Sequence, residues 1–329
     1  MIIWIKILEM ILDKYVVSLL EQYWNISGVL CLKRIESSVN ISILVETINA
    51  KYLLKGLAIN KAEVYRLLLL WKCLLEHNIP VISPIMSFRA HPYVWHEDHY
   101  WILRRYVSGA VFTMNSPTEI IEAAENLTNI HNITVDGIDF CYNSIHDPYH
   151  WLYDMEKEIY FMKTEHADIS GIEILIKKVK KICNDIRLDD YLQLPTCIVH
   201  GDYHGKNLIY SNSKMKAILD LETIGVSARI LDIVEAVFFL GRYGYGEYLF
   251  NSKQIIDFLR AYCSNISITD KEIELAIKIL KLRLIPRADY LRRMKEKSKS
   301  AAENQVLWAV NMMKCIDQKF EPLFISSLE

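Results

Sequence analysis

Glycine and proline are scarce, at 11 and 8 in 329 residues. Flexible linkers and low-complexity tracts are rich in such residues, so long disordered connections are not expected. No two cysteines have the Cys-x-x-Cys spacing. All seven, at 31, 73, 141, 183, 197, 263 and 315, stand singly, and an odd number argues against a disulfide framework. Buried or idle thiols in a reducing compartment are the plain reading. Neither sign of charge is in excess, with 38 Lys and Arg against 40 Asp and Glu. That balance gives no argument for nucleic acid or an anionic membrane as a partner. Also missing is any apolar run near the about 18 residues of a membrane span. The opening stretch 1–12 looks apolar, but Lys6, Glu9, Asp13 and Lys14 interrupt it. It reads as an amphipathic helix with Ile7, Met10, Ile11 and Tyr15 on one face, and the protein is expected to be cytoplasmic.

What is present is an ordinary globular composition, 52% hydrophobic and 24% charged. At this length one core is outgrown, so two lobes or domains are expected. Segments 28–34, 41–47 and 51–57 carry the β-branched and aromatic residues of strands, with Ile48-Asn49-Ala50 as a turn. Residues 60–78 have helical spacing, with Val64, Leu67, Leu68, Trp71 and Leu75 on one side, and Pro80 stops the helix. Two more strands are expected near 83–89 and 99–106. Beyond Ser108-Gly109 helices dominate, near 117–131, 148–165, 170–184 and again over 230–320. A small β island interrupts them at Thr196–His200, Asn207–Tyr210 and Ala217–Asp220. A strand-rich first third before a helical remainder makes an α+β architecture, with domains at 1–104 and 105–329.

The chemistry-bearing stretch is His200-Gly-Asp202-Tyr-His204-Gly-Lys-Asn207, followed by Ile218-Leu-Asp220-Leu-Glu222. His-Gly-Asp alone is an ordinary turn. Asn207 five residues after Asp202, and Asp220 thirteen further, with apolar strands on both sides, is a much more specific pattern. Phosphoryl transfer to a hydroxyl needs one group to orient or accept the hydroxyl proton, and oxygen ligands for a metal on the nucleotide phosphates. A loop leaving a buried strand holds Asp202 and Asn207 at fixed separation, and the next strand brings Asp220 to the same place.

Here the chain resembles the aminoglycoside phosphotransferase and choline kinase-like enzymes, which share the bilobal protein-kinase-like fold. The resemblance spans nearly the whole chain. It implies Asp202 as catalytic base, Asn207 and Asp220 as Mg²⁺ ligands, His200 as a brace of the loop and Glu222 as a supporting acid. It further implies that Ser38 and Asn40, in Ser37-Ser-Val-Asn40, belong to a short loop covering the nucleotide, although the Gly-x-Gly-x-x-Gly of protein kinases is missing there. By the same resemblance Lys55 holds the phosphates with Glu63 as its partner acid. Main-chain groups of Arg105 and Val107 then meet the adenine edge, and His131 is a packed structural residue. The cofactors implied are ATP, with GTP as the alternative, and Mg²⁺. The partner implied is a small-molecule hydroxyl acceptor.

Substrate hints come from departures. Ser227-Ala-Arg229-Ile-Leu-Asp232 replaces the usual Gly-Asp-Pro, and with Ile268-Thr-Asp-Lys-Glu it looks more like the branch of spore-coat-associated kinase-like proteins and kinase-fold homoserine kinases. Asp232 is expected to cap the next helix and to brace the catalytic loop. The stretch 278–299 is basic, either a solvated helix face or a site in which Arg283 and Arg287, one turn apart, grip a carboxylate. Glu156, Glu158, Asp232 and Glu235 are the acids that a cationic acceptor would use. The reaction expected is γ-phosphoryl transfer to an amino sugar, amino alcohol or hydroxy amino acid. A protein kinase is disfavoured by the short stretch between Asp220 and Asp232. A non-catalytic structural protein is disfavoured by the presence of Asp202, Asn207 and Asp220 together.

Overall fold

The computed structural model describes residues 2–35, 40–134 and 147–328, with side chains from Asp13 onward. Ser38, and the side chains of Ile7, Met10 and Ile11, lie outside the described residues. The chain divides into two compact units, one of residues 1–69 and 81–108, the other of 70–80 and 109–329.

The first unit contains α1 (Ile2–Trp24), β1 (Val29–Ile35), β2 (Ile41–Thr47), β3 (Lys51–Leu57), the first half of α2 (Lys61–Glu76), β4 (Val94–His96) and β5 (His99–Arg105). The strands form one antiparallel sheet in the order β1-β2-β3-β5-β4. Alternating apolar residues Ile43, Val45, Leu54, Trp101 and Leu103 bury one face of it against Val16, Leu19, Leu20 and Trp24 of α1. Those four helix positions follow the i, i+3, i+4, i+8 spacing of a single stripe. Gly56 stands beside the Trp101 ring, where a Cβ would come within 2.9 Å of it. The strand expected at 83–89 does not form. Pro84 makes only an isolated bridge to Arg104, since proline has no N–H for a ladder. The adjoining strand is instead the short β4.

The second unit contains β6 (Ala110–Val111), α3 (Pro117–His131), α4 (Tyr149–Glu165), α5 (Ile172–Asn184), α6 (Leu188–Leu192), β7 (Thr196–Val199), β8 (Leu208–Ser211), β9 (Lys214–Ile218) and β10 (Gly225–Ala228). It ends with α7 (Ile230–Leu240), α8 (Ser252–Cys263), α9 (Asp270–Arg283), α10 (Ala288–Lys297), α11 (Lys299–Cys315) and α12 (Glu321–Ser326). The β island is two small sheets: β7 pairs with β10, and β8 lies between β6 and β9. α7 is the core of this unit, buried on nearly every side from Ile230 to Leu240. Asp232 and Glu235 are its two charged residues, and both are buried. Charges in such a position require partners. Among the described residues no helix is long and apolar enough to cross a membrane.

An ion pair fastens the start of α7 to the start of α9. Arg229, at the N-cap of α7, donates from Nε and Nη2 to the two oxygens of Glu272, each at 2.7 Å. Glu272 also closes a capping box with Thr269, and its side chain is fully buried. Arg229→Met would leave that carboxylate uncompensated in the interior. A loss of about 3–5 kcal/mol in urea unfolding is expected, against about 0–1 kcal/mol for breaking the exposed Lys253–Asp257 pair. Equal losses for the two substitutions would contradict this assignment.

Candidate functional site

β7 ends at Val199, and the chain turns at once through His200-Gly201-Asp202. Gly201 has φ +75°, in the left-handed region where glycine carries no Cβ penalty. The turn is held from below by Asp232. One oxygen of its carboxylate accepts the His200 N–H at 2.5 Å, and the other accepts the Gly201 N–H at 2.8 Å. His131 Nε2 lies 3.4 Å from the same carboxylate and its Nδ1 meets the Tyr262 hydroxyl at 2.7 Å, so the brace is itself packed in place. Asp232 sits in the first turn of α7 rather than at its cap, which is the position of Arg229. The His200 ring adds a second tie. Its Nε2 reaches the Leu219 carbonyl at 2.7 Å, and its Nδ1 accepts the Asp202 N–H at 3.2 Å. This pattern puts the ring proton on Nε2.

Asp202 therefore projects from a rigid turn, with its side chain about one-third exposed. Its Oδ2 accepts from Asn207 Nδ2 at 3.1 Å and faces His204 Nε2 at 3.4 Å. Burial opposes ionisation of this carboxyl. The neighbouring His204, Arg283 and His200 outweigh that and hold it well below the usual carboxylate range. Asn207 closes a single 3₁₀ turn, Gly205–Asn207, and is buried. Its main-chain carbonyl accepts the Leu219 N–H at 2.8 Å, continuing the Leu208–Ile218 register of β8 and β9. Asp220 follows directly, with φ 57° and ψ 58°. A non-glycine residue in that conformation costs about 1–3 kcal/mol, a strain that clusters at functional positions. Glu222 lies in the 3₁₀ turn Leu221–Thr223 just beyond.

The donor set is suited to a hard divalent cation. Nδ2 of Asn207 is committed to Asp202, donating to both its main-chain and side-chain oxygens, so the amide oxygen is the ligand end. Amide and carboxylate oxygens are the donors that Mg²⁺ prefers. Among the described residues no group of three or more His, Cys, Asp or Glu is arranged to hold a metal.

In the first unit, Lys55 lies on β3 between Ser42 of β2 and Ile102 of β5. Glu63 Oε2 accepts the Asn60 N–H at 2.8 Å, while the Asn60 side chain accepts the Glu63 N–H at 2.9 Å. That reciprocal cap opens α2. Asn40 precedes β2, Arg105 ends β5 with its guanidinium 4.8 Å over the Tyr52 ring, and Val107 lies just after that strand.

The basic stretch at 278–299 is neither a bare solvated face nor an open carboxylate grip. Arg287 donates to Glu158 Oε1 at 2.8 Å, and Glu158 Oε2 accepts the Ala288 N–H at 3.0 Å. Lys295 pairs with Asp168 at 2.7 Å and Lys281 with Asp317. Arg283 donates to Asp202 Oδ1 at 3.2 Å and pairs with Glu235 at 2.9 Å. Sequence reading missed this link. Asp202 and Arg283 are 81 positions apart, and no local pattern connects them.

Comparison with known proteins bears on the family and the fold. The model of the phosphotransferase enzyme family matches residues 61–270. No curated protein matches the chain. Among solved structures, a microcompartment-associated aminopropanol kinase is 16% identical with TM-score 0.70, covering 96% of this chain and 98% of that one. A spectinomycin phosphotransferase in complex with ADP and spectinomycin is 15% identical with TM-score 0.65, over 95% and 98%. A choline kinase from Cryptosporidium parvum is 14% identical with TM-score 0.62, over 96% and 99%. At such identities the likeness is one of fold, an antiparallel N-terminal sheet before a helical remainder, as in these small-molecule kinases.

If the Asp232 carboxylate is what shapes the loop, Asp232→Ala leaves two buried N–H groups without acceptors. A loss of about 1–3 kcal/mol per group is expected, together with faster hydrogen exchange at the Gly201 amide. Unchanged exchange at Gly201 would show that the turn holds without Asp232.

Proposed function

This chain belongs to the phosphotransferase enzyme family, and from that premise we propose that it transfers the γ-phosphoryl group of ATP to a hydroxyl of a small molecule, with Asp202 orienting the acceptor. The observation that carries the reading is the joining of Asp202, Asn207 and the strained Asp220 in one braced loop and strand pair. Such a transfer asks little covalent chemistry of the protein. Its transition state is loose, and catalysis rests on positioning and charge stabilisation.

Asp202 receives a hydrogen bond from the acceptor hydroxyl and aligns its oxygen with the phosphorus. The hydroxyl proton then passes to the Asp202 carboxylate as the oxygen–phosphorus bond forms. Asn207 and Asp220 are the residues that would hold Mg²⁺. When bound, the ion neutralises charge on the nucleotide phosphates. Lys55 is assigned to the α- and β-phosphates, with Glu63 as its partner acid and Asn40 in the loop over the nucleotide. The main-chain groups of Arg105 and Val107 are assigned to the adenine edge. The boundary between nucleotide and acceptor lobes is proposed at residues 104–109.

For the acceptor, the names of the fold neighbours suggest hydroxyl compounds that carry an amine: spectinomycin and aminopropanol. Amino sugars, amino alcohols and hydroxy amino acids are the classes proposed for this chain. Asp202→Ala is expected to keep Mg·ATP binding in calorimetry while turnover on a phosphorylated acceptor falls about 10²–10⁴-fold. Asp220→Ala is expected to weaken the metal-dependent nucleotide binding itself. Equal turnover in wild type and Asp202→Ala would sink the assignment of the base.

A further inference from the structure

Arg283 ends α9, and its guanidinium is almost wholly buried, with 9% of the side chain exposed. Its Nη2 donates to the Gly201 carbonyl at 2.9 Å and to Asp202 Oδ1 at 3.2 Å. The same nitrogen lies 2.9 Å from Glu235 Oε1, and Nε donates to Glu235 Oε2 at 3.3 Å. The two oxygens of Asp202 are thus held by different partners. Oδ1 meets α9 through Arg283, and Oδ2 meets the 3₁₀ turn through Asn207 and His204. A carboxylate fixed at both oxygens is not free to rotate about its last bond, so the lone pair offered to an acceptor hydroxyl has one direction.

Glu235 explains how Arg283 keeps its position. It lies in the middle of the apolar helix α7 with a side chain 1% exposed, and Arg283 is its ion-pair partner. Burial, Asp202 and Asp232 all push its carboxyl toward the neutral form, and the Arg283 guanidinium is what pulls it back toward the ionised one. A buried ion pair of this kind is seldom needed for stability, because apolar residues of similar volume fill the same space equally well or better. What apolar residues cannot do is deliver a guanidinium to Asp202.

We propose that Arg283 is a positioning residue for Asp202, and that buried Glu235 serves to hold Arg283 in that place. This rests on Asp202 being the group that orients the acceptor. The inference concerns geometry at Asp202, so it touches the chemical step and leaves nucleotide affinity alone.

The test separates this role from a structural one. Mg·ATP hydrolysis, with water as the accepting hydroxyl compound, is measured for wild type, Asp202→Ala, Arg283→Met and the double variant Arg283→Met/Glu235→Met, with urea unfolding of each. Arg283→Met alone leaves Glu235 unpaired and is expected to be less stable. In the double variant the apolar pair is expected to restore the unfolding midpoint. Its kcat should nevertheless stay on the order of 100-fold below wild type, as a misplaced catalytic group costs, with KM for ATP unchanged. A double variant that regains both stability and wild-type kcat, while Asp202→Ala is inactive, overturns the positioning role and leaves the reading of Asp202 intact. Full hydrolysis by Asp202→Ala overturns the reading of Asp202 and the positioning role with it.

Discussion

Two adjacent main-chain N–H groups, those of His200 and Gly201, converge on the single buried carboxylate of Asp232. Each N–H has left its strand and would be unsatisfied in the interior without this acceptor. The carboxylate in turn would be left with only the long contact to His131 without the two donors. Neither half is stable alone, so the turn between β7 and the 3₁₀ helix has essentially one conformation. Everything at the site follows from that turn: the direction of Asp202, the reach of Asn207 back to Asp202, and the tie from His200 to Leu219 that sets Asp220 beside them.

The helix that supplies Asp232 also supplies Glu235, and both acids point out of an otherwise apolar element. Each meets the 200–202 loop or its neighbours by a different means. Asp232 accepts from two backbone N–H groups, and Glu235 accepts at Oε2 from the guanidinium of Arg283. The unit's most buried helix is therefore the support on which the loop is aligned. The Arg229–Glu272 pair extends the same logic outward, fixing where α7 begins relative to α9 and hence where Arg283 arrives.

Much of the fold was legible because it is local. Strands β1 to β3 announce themselves by β-branched and aromatic residues, and α2 by its apolar spacing and the proline after it. The region 83–89 misled because its apolar residues suggest a strand while Pro84 removes the donor that a ladder needs. β10 was missed since Gly225–Ala228 has a single β-branched residue, Val226, among small ones and gains its partner only from β7. The loop residues 200, 202 and 207 and the turn at 220 stand close in sequence, so their spacing alone brought them together. Arg283 was legible as a residue that could grip a carboxylate, but only tertiary packing reveals that the carboxylates it meets are those of Asp202 and Glu235.

The most direct measurement is transfer of a γ-labelled phosphoryl group from Mg·ATP into pooled hydroxyl compounds, read by mass spectrometry. Aminoglycosides, amino alcohols, hydroxy amino acids and sugars would each form one pool. The account predicts a labelled phosphate monoester in at least one of them, carrying the mass of one added phosphoryl group. Label confined to ATP in every pool, from a protein that binds no nucleotide in the presence of Mg²⁺, would contradict it.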